Sequence, residues 1–336
     1  MMKRRDGTTP TTGGEFELIA ELFAPLAAGY AGAFGLLDDA AVIDREPGLD
    51  LVTTNDVIVA GIHFTMDETP GRIAKKLIRV NLSDLAAMGA RPSYYLLGAA
   101  FPKAIGPDWL RAFAAGLAED QLDYGITLAG GDTVATDGPL SLSLTAFGQV
   151  AEGQAIRRKG AVPGQHLYLS GTVGDAALGL RVVLGELTGL SPTHSDFLED
   201  RFRLPRPRTA LGPELIGLAT GAIDVSDGLA ADLGHICKAS SVGAVIDAAR
   251  LPLSESASIA LDREPELLKT VLSGGDDYEL LFTVDPSRGP EIDRLSRRLG
   301  LPLTRIGEIT KGRGVIVRDL SNQPMDFVYQ GYTHFR

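Results

Sequence analysis

Seven short acidic motifs recur along the chain, each where a strand-like or helix-like segment meets a turn: Asp38-Asp39, Thr54-Asn55-Asp56, Asn81-Leu82-Ser83-Asp84, Gly130-Gly131-Asp132-Thr133, Asp224-Val225-Ser226-Asp227-Gly228, Ser273-Gly274-Gly275-Asp276-Asp277 and Glu279. A fold that buries the intervening apolar segments must also accommodate these carboxylates. In α/β folds, ligand crevices lie at the ends of strands. Carboxylates beside glycines and hydroxyls make hard oxygen sites suited to magnesium. The same glycines let backbone N–H groups approach phosphate oxygens. The pattern implies a chain that gathers several Mg²⁺ ions around a polyphosphate.

Charge sharpens this reading. The net charge is −11, which argues against nucleic acid or an anionic membrane surface as the main partner. An acidic protein that binds phosphate must recruit positive charge, and bound metal supplies it most simply. The sole cysteine, Cys237, excludes a disulfide within the chain and fits a reducing compartment. It lies near Leu233 and Ile236, as a small buried apolar residue would. The start, Met1-Met2-Lys3-Arg4-Arg5, is followed by Thr and Gly instead of an apolar run, so no signal peptide is expected. No stretch approaches the ~18 apolar residues of a membrane span. A cytoplasmic protein is expected.

A chain of 336 residues predicts about two domains of ~100–200 residues each. Residues 1–13 read as a disordered tail, 14–152 as an N-terminal domain and 153–336 as a C-terminal α/β domain. The basic, turn-rich Arg157-Arg158-Lys159-Gly160-Ala161-Val162-Pro163-Gly164 lies next to the boundary. Helical spacing predicts helices over 15–28, 72–88, 107–122, 175–187, 209–219, 228–240 and 291–299. Strands are expected over 40–43, 51–56, 94–100, 126–129, 140–150, 166–170, 222–225, 243–247, 279–284 and 303–307, and a loop-rich stretch over 191–207. Both halves are α/β, with helices on one or both sides of each sheet.

Each acidic candidate has an ordinary structural reading beside the functional one. Asp84 falls within the apolar stripe of Ile73, Leu77, Val80 and Met88, so it is either a buried paired carboxylate or, as favoured here, a metal ligand. Asp132 follows a glycine pair in a turn after a buried strand, an arrangement that Gly274-Gly275-Asp276-Asp277 repeats before another strand. Thr54-Asn55-Asp56 ends an apolar strand and faces a pocket. Ser226 and Asp227 fit a routine helix N-cap, but Asp224, two residues earlier on a strand, turns the group toward a crevice. His63 follows the Asp56 strand and belongs either to that pocket or to the surface. Arg157, Arg158 and Lys159 are either a solvated linker or a phosphate contact. No Gly-x-x-x-x-Gly-Lys-Ser/Thr loop is present, which excludes a Walker-type nucleotide site.

In order, these motifs resemble the thiamine-monophosphate kinases, in the superfamily of aminoimidazole ribonucleotide synthetase. The resemblance runs from about Gly14 to Phe335. It is carried by Val80–Ala90, Ala129-Gly130-Gly131-Asp132-Thr133, Ile223–Leu229, Leu272–Leu280 and the ending Gly331-Tyr332-Thr333-His334-Phe335. It implies a two-domain α/β (α+β) fold with mixed sheets and packed helices, and a homodimer pairing through its N-terminal sheets. It implies transfer of the γ-phosphoryl group of ATP to thiamine monophosphate, giving thiamine diphosphate. By motif match, Asp39, Thr54, Asn55, Asp56, Asp84, Asp132, Asp224 and Asp227 would hold several Mg²⁺ ions. Gly131, Arg158 and Ser226 would contact ATP, and His63, Asp276 and Tyr332 the thiamine phosphate. The chain departs from the family pattern at Leu37, where glycine usually precedes the paired aspartates. It departs again at Asn55, where a hydroxyl is usual, and at Asp276, where glutamate is common. Selenophosphate synthetases and the hydrogenase-maturation relative carry cysteines near one terminus that this chain lacks. A Mg²⁺-dependent phosphohydrolase and a non-catalytic nucleotide- or metal-sensing protein remain the alternatives on this scaffold.

Overall fold

The computed structural model describes residues 18–38, 40–43 and 46–325. The tail, Asp39 and Tyr332 therefore lie outside the described residues. Two compact units emerge. One holds the described residues before 44 with Val57–Lys75 and Tyr94–Leu144. The other holds 46–56, Lys76–Ser93 and everything described from Thr145 onward.

The first half carries strand β1 (Leu49–Val59), helix α1 (Pro70–Ala87), β2 (Arg91–Pro102), helix α2 (Pro107–Tyr124), β3 (Thr127–Thr136) and β4 (Ser141–Ala151), with sheet order β1-β4-β2-β3. β2 and β3 are parallel, with a register shift at Tyr95/Leu96. β4 alternates buried and half-buried residues along nearly its whole length, as a strand with one covered face should. α1 is apolar on more than a stripe: Leu77, Ile78, Leu82, Leu85 and Ala86 are all fully buried.

The second half folds as β5 (His166–Ser170), α3 (Asp175–Val183), α4 (Pro192–Arg203), β6 (Ala219–Asp224), α5 (Leu229–Ser240), β7 (Gly243–Asp247), α6 (Glu255–Arg263), α7 (Leu267–Ser273), β8 (Leu280–Val284), α8 (Gly289–Leu299), β9 (Leu303–Thr310) and β10 (Gly314–Arg318). Its six-stranded mixed sheet has order β10-β7-β9-β5-β8-β6; β7 and β10 are parallel, and the other pairs antiparallel. Helices cover both faces. Leu167, Leu169, Ile223 and Leu281 enter a core with Leu198, Leu233, Ile236, Cys237 and Val271. The alternate residues Tyr168, Ala222, Leu280 and Phe282 enter a second core with Ala86, Ala87, Leu215, Ile292 and Leu295. Burial on both faces explains why β8 reads as an unbroken apolar run.

Several expectations change. Over 15–28 the described part is a π-helical turn, Ile19–Phe23, followed by a short helix, Ala24–Ala27; Pro25 lacks the N–H that would continue an α-helical ladder. No strand forms at 40–43. The loop expected at 191–207 contains α4, started by Ser191, whose side chain accepts from the His194 N–H, and by Pro192 in the first turn. The helix expected at 209–219 shrinks to a 3-10 turn, Gly212–Leu215, with Pro213 inside it.

Candidate active site

Three elements bring carboxylates together in the larger unit. β1 does not end at Asp56 but continues to Val59, so its two-residue alternation sets the site. Thr54 and Asp56 share one face, and Asn55 takes the other, where its amide donates to Thr145 Oγ1 at 2.9 Å. From α1, Asp84 accepts the Thr54 hydroxyl. One turn earlier, Asn81 Oδ1 accepts the Asp56 backbone N–H at 3.2 Å, while its amide donates to Leu77 O at 2.9 Å. Ser83 Oγ donates to Asp224 Oδ2, at the end of β6, at 2.7 Å. Thus α1 joins β1 through Asn81 and Asp84, and β6 through Ser83.

Electrostatics set the members of this group against one another. Burial, then the Asp84 charge, push Asp56 up to about 7. Burial raises Asp84, against the Thr54 hydrogen bond and the Arg158 charge, which lower it. Burial and then the Asp84 charge raise Asp224 well above the usual carboxylate range, with Asp232 and Asp56 adding to the effect. Carboxylates that disfavour one another's ionisation are a functional-site signature.

A cavity of about 470 Å³ opens beside the cluster. Asp84 and Asp224 line one part, and Leu85, Ala87, Met88 and Ile223 supply apolar surface. Arg157, Arg158 and Lys159 complete the wall. The basic tract is held there by backbone pairing: the Arg157 carbonyl accepts from Ala222 N at 3.1 Å, and Ile156 N donates to Met88 O at 3.0 Å.

Two loops lie backbone to backbone next to Asp224. Val225 O accepts from Tyr278 N at 2.8 Å, and Ser226 O from Asp276 N at 2.9 Å. A Cβ at Gly275 would lie 2.1 Å from Ser226 O, so only glycine permits this approach. Asp276 and Tyr278 both take left-handed φ, +70° and +52°, a strain typical of functional loops. Asp276 Oδ2 pairs with Lys76 Nζ at 3.0 Å, and the Tyr278 hydroxyl lies 3.3 Å from its Oδ1. Lys76 is buried, 3.3 Å from the Phe202 carbonyl and 4.4 Å above the Phe202 ring.

Thr54, Asp56, Asp84, Arg158 and Asp224 are therefore gathered, with Ser226 and Asp227 on the loop after β6 and Asp276 on the loop after α7 that pairs with it. Asn55 directs its side chain away. Asp132, Gly131 and His63 belong to the other unit. Asp132 is not in a turn: β3 runs through it, opposite Gly98, and it is exposed. Gly131 is required by β2, since a Cβ there would lie 2.0 Å from Leu97 O. His63 Nδ1 accepts the Val59 N–H at 3.1 Å, closing the turn after β1.

Two acidic positions of the sequence pattern serve the fold. Asp277 accepts from the N–H groups of Gly174 and Ala176, at 2.6 and 3.1 Å, at the start of α3. Glu279 is fully buried, pairs with Arg201 and Arg208, and accepts the Ser170 hydroxyl. Sequence reasoning also missed participants. Lys76 looks like a charged interruption of an amphipathic helix. Asp232, one turn into α5, reads as a surface acid, yet it is buried and burial pushes it up to about 7. The spacing of Asp227, Asp232 and His235 held a signal: their ligand atoms lie within 4.8 Å of one another.

Residues 37–150 match the model of the AIR synthase related protein N-terminal domain, and residues 162–319 that of the C-terminal domain. A thiamine-monophosphate kinase of Caulobacter vibrioides is 44% identical, covering 90% of this chain and 85% of its own length. The crystal structure of a thiamine-monophosphate kinase from Stenotrophomonas maltophilia is similar at 42% identity, with a TM-score of 0.78, covering 86% of this chain and 91% of that one. A structure of AaThiL complexed with AMPPCP and TMP, at 28% identity and a TM-score of 0.76, covers 90% of this chain and 97% of that one.

Proposed function

The chain belongs to the AIR synthase related family, and on that premise we propose that it phosphorylates thiamine monophosphate with ATP, giving thiamine diphosphate and ADP. The observation that carries the reading is the convergence of Asp56, Asp84 and Asp224 beside a cavity walled by Arg157, Arg158 and Lys159.

The donor set fits magnesium. The three carboxylates are buried enough to resist ionisation together, and the hydroxyls of Thr54 and Ser83 already orient two of them. Hard oxygen donors of this kind suit Mg²⁺. In our reading Asp56, Asp84 and Asp224 hold the ions, with Asp39, Thr54, Asn55 through its backbone oxygen, Asp132 and Asp227 contributing. When bound, the ions neutralise the facing phosphates and align them for transfer. Arg158, Ser226 and Gly131 contact the nucleotide. Asp276, His63 and Tyr332 contact the acceptor.

The acceptor oxygen belongs to a phosphate that is ionised at neutral pH, so no residue need deprotonate it. The barrier to overcome is repulsion. Each pair of unit charges about 4 Å apart costs roughly 4 kcal/mol at an effective dielectric near 20. Four such pairs between two dianionic groups reach about 16 kcal/mol, more than the basic tract offsets alone. Transfer is direct and in line, with no phosphoenzyme.

The domain division at about 152/153, a cytoplasmic location and a homodimer through the N-terminal sheet also belong to this proposal. Exposed Leu51 and Val57 on edge strand β1 support the last. Incubation with ATP, Mg²⁺ and thiamine monophosphate tests the reaction: the diphosphate should accumulate one for one with ADP. Phosphate release independent of the acceptor would instead identify a phosphohydrolase, and tight nucleotide binding without turnover a sensor.

A further inference from the structure

Beyond the residues already given roles, one buried carboxylate acts on the site without facing the cavity. Asp232 lies one turn into α5 and is 2% exposed. A single oxygen, Oδ2, accepts from three consecutive backbone N–H groups: Ser226 and Asp227 at 3.0 Å each, and Gly228 at 3.1 Å. Three successive amides turned toward one point form an anion-binding concavity. Here the protein fills that concavity with its own side chain.

The consequence concerns the segment that follows Asp224. Ser226 and Asp227 are the residues placed above at the nucleotide and the metal. Their peptide planes are fixed on one side by Asp232. On the other side Val225 and Ser226 carbonyls accept from Tyr278 and Asp276. With its amides turned inward to Asp232, the segment cannot offer those N–H groups to a phosphate. Phosphate recognition then falls to metal ions and to the basic tract, as the acidity of the chain requires. Gly228, at φ +126°, allows the chain to leave this arrangement and enter α5.

We infer that Asp232 is a positioning residue for ATP binding, acting through the Ser226–Gly228 turn as a hydrogen-bond acceptor and not as a metal ligand. This deepens the reading above and rests on it for the roles of Ser226 and Asp227. The acceptor function separates two substitutions. Asp232→Asn keeps an oxygen for the three amides and loses the charge; Asp232→Ser leaves a hydroxyl too short to reach them.

The test combines amide hydrogen exchange at 226–228, calorimetric binding of the non-hydrolysable analogue AMPPCP with Mg²⁺, and separate KM values for ATP and thiamine monophosphate. Asp232→Asn should keep amide protection and stay within about threefold of the unsubstituted protein in analogue affinity. Asp232→Ser should lose protection at these three amides, weaken the analogue at least tenfold and raise KM for ATP while KM for thiamine monophosphate changes less than twofold. Equal damage in both variants would overturn the inference, because charge or metal ligation would then be the role. Unchanged analogue affinity in Asp232→Ser would overturn it too. If Asp232→Ser does not fold, Asp232→Asn alone decides: lost amide protection or analogue affinity refutes the acceptor role. A protein that binds no nucleotide at all would sink the kinase reading instead, while exchange at 226–228 would still report whether Asp232 anchors the turn.

Discussion

Asp84 is the residue on which the site turns. It faces Thr54 across the gap between α1 and β1, and its charge raises both Asp56 and Asp224. Asp84→Asn should reduce kcat at least a hundredfold, about 2.7 kcal/mol of transition-state stabilisation, while circular dichroism and the unfolding midpoint stay near normal. Near-normal turnover would make Asp84 a structural carboxylate. The pH response follows from Asp56, raised from 3.8 to about 7. Between those values the folded state binds more protons than the unfolded one, so stability must fall as pH rises. Metal-free protein should therefore lose thermal stability from about pH 4 to 7, and Mg²⁺ should restore more of it at pH 8 than at pH 5.5. At subsaturating Mg²⁺, activity, which needs the ionised carboxylates, should decline as pH drops below about 7, where protons compete with the ions for Asp56; saturating Mg²⁺ should move that decline to lower pH. Equal Mg²⁺ effects at both pH values would contradict this. The partnered position of Asp84 is legible because a carboxylate in an apolar stripe needs a partner, here the Thr54 hydroxyl. Asp232 has only its spacing from Asp227 and His235 to mark it, because its partners are backbone amides, which carry no sequence signal.

Elements were legible where one periodicity ruled. β5 and β7 lie over the residues where strands are expected, and α2, α5 and α8 begin and end within two residues of expectation. Misreadings came from turn formers inside regular structure. Gly130-Gly131 looks like a turn, yet β3 passes through it, with an extra residue, Ala129, opposite the Tyr95/Leu96 step of β2 and the Leu97 carbonyl of β2 close against Gly131. Pro192 reads as part of a loop, yet it stands in the first turn of α4 and starts the helix. The acidic repeat over 276–279 mixed two purposes that spacing cannot separate. Asp276 turns to Lys76, while Asp277 and Glu279 are internal acceptors. Asp277→Ala should strand the Gly174 and Ala176 amides at the start of α3 and lower stability by about 2 kcal/mol, measured by urea denaturation. A change within about 0.5 kcal/mol would show that water replaces the carboxylate without cost.

At the scale of the whole molecule, the two halves carry different sheets. The larger unit takes its site from β1, α1, β6 and the loops after β6 and α7, so residues far apart in sequence act together. Among the described residues no helix is long and apolar enough to cross a membrane. If the N-terminal sheets pair, Leu51→Glu combined with Val57→Lys should shift the protein toward monomer in sedimentation equilibrium; an unchanged mass would move the interface elsewhere. The account as a whole depends on the carboxylates of α1, β1 and β6 holding divalent cations for the nucleotide. Mn²⁺ titration followed by electron paramagnetic resonance, with AMPPCP present, measures that directly. Compared with the unsubstituted protein, Asp84→Asn and Asp224→Asn should each bind fewer ions, or bind them at least tenfold more weakly. Identical stoichiometry and affinity in all three proteins would contradict the account.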